Sequence, residues 1–191
     1  NEEWYEGLSG QQTTDGGYVI TGRSSCPGSF CSYLIKTDEN GNEQWSQSYE
    51  ENTVGYSLKQ TTDGGYVICG GIETSSLDIY LLKTDDDGDI QWSQTFGGDF
   101  IDIGYSLQQT MDGGYIITGG TQFFGTEDSS LDIFLIKTDE NGNEEWFQNY
   151  VFETGGIGFS VQQTTDGGYI ITGHLESQDI FLIKTDSEGN V

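Results

Sequence analysis

Apolar positions along this chain fall in short runs of strand length, and no segment keeps the 3.6-residue period of an amphipathic helix. Short apolar stretches such as Tyr18-Val19-Ile20 and Ile79-Tyr80-Leu81-Leu82 are bounded by Gly, Asn and Asp clusters, the residues of tight turns. The pattern also repeats. Gln-Thr-x-Asp-Gly-Gly-Tyr-(Val/Ile)-Ile recurs with its aspartate at Asp15, Asp63, Asp112 and Asp166, at spacings of 48, 49 and 54 residues. Lys-Thr-Asp-x-x-Gly recurs from Lys36, Lys83, Lys137 and Lys184, and Trp45, Trp92 and Trp146 each follow nine residues later.

Each repeat therefore predicts four short strands, in the third repeat at 104–111, 114–119, 132–138 and 144–150. Four strands in about 50 residues is the content of one propeller blade. The third strand reads Ile-Phe-Leu-Ile at 133–136 and again at 180–183. Apolar on successive residues, it needs cover on both faces, as radially stacked blades provide and a half-exposed sandwich strand does not. Gly70, Gly71, Gly119 and Gly120 mark where neighbouring backbones crowd, and Glu43-Gln44-Trp45-Ser46-Gln47 with its copies reads as a polar outer edge.

The expected fold is all-β: a four-bladed β-propeller of four-stranded antiparallel blades, one domain over 1–191 with repeats at approximately 7–50, 55–97, 104–151 and 158–191 plus 1–6. The fourth repeat reaches Val191 before its outer strand, while Glu2-Glu3-Trp4-Tyr5 resembles Glu144 to Phe147. The ring is expected to close through this N-terminal strand, taken from the same chain or from a neighbouring copy. The first residues, Asn1-Glu2-Glu3, carry no initiator methionine or leader, so a processed or excised piece of a longer protein is expected.

The Asp-Gly-Gly-Tyr-Ile-Ile-Thr-Gly and Ile-Lys-Thr-Asp-x-x-Gly-x-x-x-Trp patterns resemble the propeller repeats of large secreted and cell-surface proteins of bacteria and archaea. More distantly they are similar to the quinoprotein-type repeat. The resemblance covers essentially the whole chain and implies the fold. It implies an extracellular or cell-surface location, and no quinone site is marked.

Charge narrows the partners. Six basic against 32 acidic residues leave a formal charge of −26, so nucleic acid and anionic membrane surfaces are not expected partners. Apolar runs stay far below the ~20 residues of a membrane-spanning helix, so no membrane insertion is expected either. Cys26 and Cys31 flank a Pro-Gly turn and are expected to form a disulfide, with Cys69 left reduced in a strand.

If strands alternate in direction, the turns after strands one and three share one face, repetitive and acidic. It gathers the Asp-Gly-Gly turns and the turns that begin at Asp38, Asp85, Asp139 and Asp186. Two readings apply to the latter. Oxygen ligands at alternate positions around a glycine suggest calcium, with Asp85, Asp87, Asp89, Asp38, Asn40, Asp139 and Asn141 as candidate ligands, although the closing bidentate glutamate of a calcium loop is missing. The same residues also suit a hairpin turn with glycine in the left-handed region. Apart from this calcium, no cofactor is expected. The repeated lysines are expected to be structural clips beside the Asp-Gly-Gly turns. The opposite face is irregular and carries Phe30, Phe100, Phe123, Phe124 and Phe152, a candidate ligand or partner face.

No catalytic residues are assigned: His174 is the only histidine, and no nucleophile elbow or nucleotide fingerprint occurs. The chain is accordingly expected to be a non-enzymatic structural or adhesive module, a unit of a filament or tandem array that self-associates head-to-tail. A carbohydrate- or peptide-binding propeller comes second. A glycosidase or lyase comes third, to be recognised by two non-repeated acids converging in one cleft.

Overall fold

The structure, a computed structural model, describes residues 4–122 and 130–191. It contains only strands, in four antiparallel sheets. Sheet one is β1 (Tyr5–Gln12), β2 (Tyr18–Cys26), β3 (Ser29–Thr37) and β4 (Glu43–Glu51). Sheet two is β5 (Thr53–Gln60), β6 (Tyr66–Glu73), β7 (Leu77–Thr84) and β8 (Ile90–Phe96); sheet three is β9 (Asp102–Gln109), β10 (Tyr115–Thr121), β11 (Asp132–Thr138) and β12 (Glu144–Tyr150). Sheet four has β13 (Gly156–Gln163), β14 (Tyr169–Leu175) and β15 (Ile180–Thr185) and is three-stranded. Within every sheet the strands pair in chain order, so each repeat folds as its own meander.

The Asp-Gly-Gly turns show why the motif recurs. Gly64 takes φ +93°, which L residues rarely adopt, and a Cβ on Gly65 would lie 2.2 Å from the Thr84 carbonyl oxygen and 2.7 Å from Lys83 Nζ. The first glycine makes the turn and the second leaves room for the lysine. Lys36, Lys83, Lys137 and Lys184 reach Asp15, Asp63, Asp112 and Asp166 at 2.8, 3.0, 3.0 and 3.0 Å. Each also donates to the carbonyl of the following threonine. The lysines are structural clips, as the sequence suggested.

Three apolar clusters form the core, one at each sheet-to-sheet interface. Val19 and Leu34 of sheet one meet Leu58, Tyr66 and Ile68 of sheet two. Val67, Ile79 and Leu81 meet Leu107, Ile117 and Ile136, and Ile116, Ile133 and Leu135 meet Val161, Ile171 and Ile183. At each joint an outer-strand tryptophan packs edge-on against the next sheet's tyrosine: Trp45 on Tyr66, Trp92 on Tyr115 and Trp146 on Tyr169. Near the turns the sheets are stitched by glutamines, with Gln60, Gln109 and Gln163 accepting the backbone N–H of Thr14, Thr62 and Met111.

Two expectations need correction. Among the described residues the N-terminal segment does not complete sheet four; Tyr5 pairs with Ser24 inside sheet one, and Ser25 donates its N–H to the Trp4 carbonyl. The reason lies in chain length. From the outer-strand tryptophan to the first inner glycine the chain runs 10 residues from Trp45 to Gly55 and 12 from Trp92 to Gly104, enough to cross a sheet, but only three from Trp4 to Gly7. The second correction concerns the apolar run at 180–183. Leu34, Leu81 and Leu135 are fully buried, whereas Leu182 in the matching position is 63% exposed and Ile180 is 90% exposed. Tyr18 is likewise 42% exposed at the other end, where Tyr66, Tyr115 and Tyr169 are buried. Among the described residues, sheets one and four each keep an uncovered face.

Candidate active site

The irregular face is built from the links between successive strands two and three and between successive sheets. There a groove of about 410 Å³ opens between sheets two and three, with Phe96, Phe100 and Phe147 in its walls and Asp99, Asp102 and Glu144 among its polar groups. Asp102 begins β9 and is buried, although repeat alignment gives Thr53 and Gly156 in its place. Asp78, near the start of β7, is buried beside it.

Gly97 separates the two carboxylates. A Cβ built there would lie 2.5 Å from Asp78 Oδ1 and 3.0 Å from Asp102 Oδ2, so these oxygens are at most the sum of those distances apart, about 5.5 Å. Only glycine fits between them. Both side chains are held. Thr74 Oγ1 donates to Asp78 Oδ2 at 3.0 Å and Ser76 Oγ to Asp78 Oδ1 at 2.9 Å. Thr121 donates its hydroxyl to Asp102 Oδ1, and the Gly98 N–H also points to this carboxylate. Burial is the main cause that raises the Asp102 pKa, and the nearby Asp78 charge adds to it against these two hydrogen bonds. The result is a carboxyl group inclined to keep its proton, in the wall of an aromatic groove, opposite a second carboxyl that is fixed by two hydroxyls and is not itself part of the groove lining.

The residues singled out from sequence do not gather in one place. Phe100 lines the groove described above, while Phe30 lines a second cleft of about 410 Å³ with Arg23, Tyr56 and Glu73 between sheets one and two. Phe152 packs into the third interface, stacked on Phe181 at 6.1 Å. Phe123 and Phe124 lie outside the described residues. His174 stacks on Phe159 at 5.2 Å.

In the acidic turns the leading carboxylate bonds to its own turn. Asp38 accepts the N–H of Asn40 and Asn42, Asp85 that of Asp87 and Asp89, and Asp139 that of Asn141 and Asn143. These bonds hold the Asp38 and Asp139 pKa values below the usual carboxylate value, with the Asn42 and Asn143 side chains as the leading cause. Among the described residues no group of three or more His, Cys, Asp or Glu converges as a metal-ligand set. Cys26 and Cys31 form a disulfide and Cys69 is free and buried. The disulfide is compatible with secretion, and no helix of the described residues is long and apolar enough to cross a membrane.

The sequence reading missed the Asp78–Asp102 pair. The usable signal was a break in the repeat, an acid at 102 where the other sheets carry tyrosine, threonine or glycine. Asp78 alone gave no such signal, because Asp132 and Asp179 recur at its position.

No family model and no curated protein matches the chain. Among solved structures it is similar in fold to a candidate exo-β-1,3-galactanase from Bifidobacterium bifidum s17, with a TM-score of 0.55 at 14% identity, over 95% of this chain and 68% of that one. Weaker likeness extends to a β-1,2-mannobiose phosphorylase from Listeria innocua (TM-score 0.48, 10% identity, 93% of this chain and 57% of that one). An exo-1,5-α-L-arabinanase from a bovine ruminal metagenomic library is comparable (TM-score 0.47, 10% identity, 92% and 73%). The first of these neighbours corrects the expectation of a non-enzymatic structural or adhesive module, since the protein of like fold is described as a candidate exo-β-1,3-galactanase. That expectation rested on the repeated positions, which build the scaffold. One wall of the groove, the link 97–102, departs from the repeat, and Asp102 of that wall lies near the buried Asp78.

Proposed function

We propose that this chain is a carbohydrate-active β-propeller module, its four sheets serving as blades, that cleaves a glycosidic bond in the groove between sheets two and three. The observation that carries this reading is the approach of Asp78 and Asp102 to within about 5.5 Å across Gly97. That upper limit is compatible with the ~5–5.5 Å of retaining glycosidases and is shorter than the ~6.5–9.5 Å that inverting enzymes need to seat a water. In this reading Asp102 protonates the leaving glycosidic oxygen and Asp78 adds to the anomeric carbon. Asp102 then takes a proton from the water that releases the sugar. Phe96 and Phe100 offer flat apolar surfaces to the sugar rings. The similarity in fold to a candidate exo-β-1,3-galactanase supports the reading and makes β-linked galactan the first substrate to try. The repeat pattern and the disulfide support assignment to the secreted and cell-surface propeller repeats of bacteria and archaea, and with it an extracellular location.

The test is reducing-sugar release from a panel of β-galactans, arabinans and mannosides. Release by the intact chain, lost by at least ~100-fold in both Asp102→Asn and Asp78→Asn with their circular dichroism unchanged, is expected. Absence of release across the panel, or release that survives both substitutions, overturns the assignment.

A further inference from the structure

The outer edge of sheet four is chemically specified by the other three sheets. β3, β7 and β11 each carry a fourth strand on the edge that β15 leaves unpaired among the described residues. In each, that strand supplies a side-chain oxygen to the clip lysine: Gln44 to Lys36 at 3.0 Å, Gln91 to Lys83 at 3.1 Å and Glu145 to Lys137 at 2.8 Å. With that acceptor in place the lysine side chains are 4–5% exposed, whereas Lys184 is 44% exposed and bonds only within its own sheet, to Asp166 and Thr185. The edge therefore offers unpaired backbone groups, the exposed apolar side chains Ile180 and Leu182, and one incompletely coordinated ammonium.

We propose that the β15 edge is an acceptor for an added β-strand of the type Glu-(Glu/Gln)-Trp-x-Gln-x-Tyr, the same strand chemistry that β4 and β12 bring to Lys36 and Lys137. The pairing of β11 with β12 sets the register. Tyr150 lies opposite Ile133, Gln148 opposite Leu135 and Trp146 opposite Lys137. The incoming strand accordingly places its tyrosine opposite Ile180, its glutamine opposite Leu182 and its tryptophan opposite Lys184, with the acid before the tryptophan on the Lys184 ammonium. Main-chain hydrogen bonds provide attachment and the Lys184 contact provides selectivity. The segment from Tyr5 onward is not this strand, since it is already paired in sheet one.

The probe is a fluorescein-labelled synthetic peptide with the sequence of residues 143–151, titrated into the intact chain and followed by anisotropy, together with hydrogen exchange of the protein. Saturable one-to-one binding is expected, with slowed exchange confined to residues 180–185. A peptide carrying Glu145→Ala should bind at least about 5-fold more weakly, and one N-methylated at alternate residues should not bind. Absence of saturable binding, equal binding of a scrambled peptide, or protection elsewhere than β15 overturns the proposal. Because the readout is binding and exchange, it is independent of whether the groove cleaves glycosides.

Discussion

Asp102 faces Asp78 across Gly97, and the hydroxyl of Thr121 is the side-chain group that holds it there. Two buried acids at this distance repel when both are ionised. Asp102→Asn keeps an oxygen for Thr121 and removes one of the two charges, so it should raise the unfolding free energy by roughly 0.5–1.5 kcal/mol while removing any proton-donor function. Chemical denaturation of the two proteins at neutral pH is the measurement, and an unchanged or lower midpoint would count against a strained pair.

The pH dependence has two opposing parts. The Asp102 pKa is raised on folding, so stability from this site increases as pH falls through its folded value. Asp166 moves the other way, lowered from 3.8 to about 2 by its Thr164 and Lys184 hydrogen bonds. Its stabilisation is complete above 3.8 and is lost as pH falls toward about 2. Asp15, Asp63 and Asp112 are lowered in the same direction. Melting temperature should hold or rise slightly on mild acidification and then fall below pH 3.8; a steady decline beginning near neutrality would contradict this assignment.

The clips should differ in strength. Lys137 is buried against Asp112, Glu145 and the Thr138 carbonyl, whereas Lys184 is half-exposed with fewer partners. Lys137→Met should cost about 1–3 kcal/mol because it removes the buried ammonium donor from the Thr138 carbonyl beside the half-exposed Asp112 and Glu145, and Lys184→Met less than about 1 kcal/mol. Equal losses in urea titrations would show that the fourth strand adds nothing to the clip.

Calcium should leave stability unchanged. The leading turn carboxylates already accept backbone N–H groups within their own turns. Melting at matched ionic strength with calcium or with chelator is expected to agree to within about a degree, and a calcium-specific rise of several degrees would restore the ligand reading of Asp85, Asp87 and Asp89.

The scaffold was legible because repeated geometry leaves repeated residues. Asp-Gly-Gly marks the turn with room for a lysine, and Trp45, Trp92 and Trp146 mark the joints between sheets. The glutamine stitches were in view as a repeated Gln-Thr pair, but their partners sit one repeat away and only folding identifies them. The groove was not legible, for the opposite reason. Asp102 occurs once, its partner Asp78 looks like one of three copies, and their proximity depends on how two sheets are set side by side. The N-terminal strand was misplaced because Trp4 matches the motif locally while the three residues to Gly7 are too few to cross a sheet.

The three interfaces share one pattern, with the forward face of each sheet fitting the rear face of the next through the same tryptophan-to-tyrosine contact. A gene encoding such a chain can gain or lose a whole repeat and leave every remaining joint compatible. Length is then open to variation by duplication, while novelty accumulates in the few loops that the joints do not use.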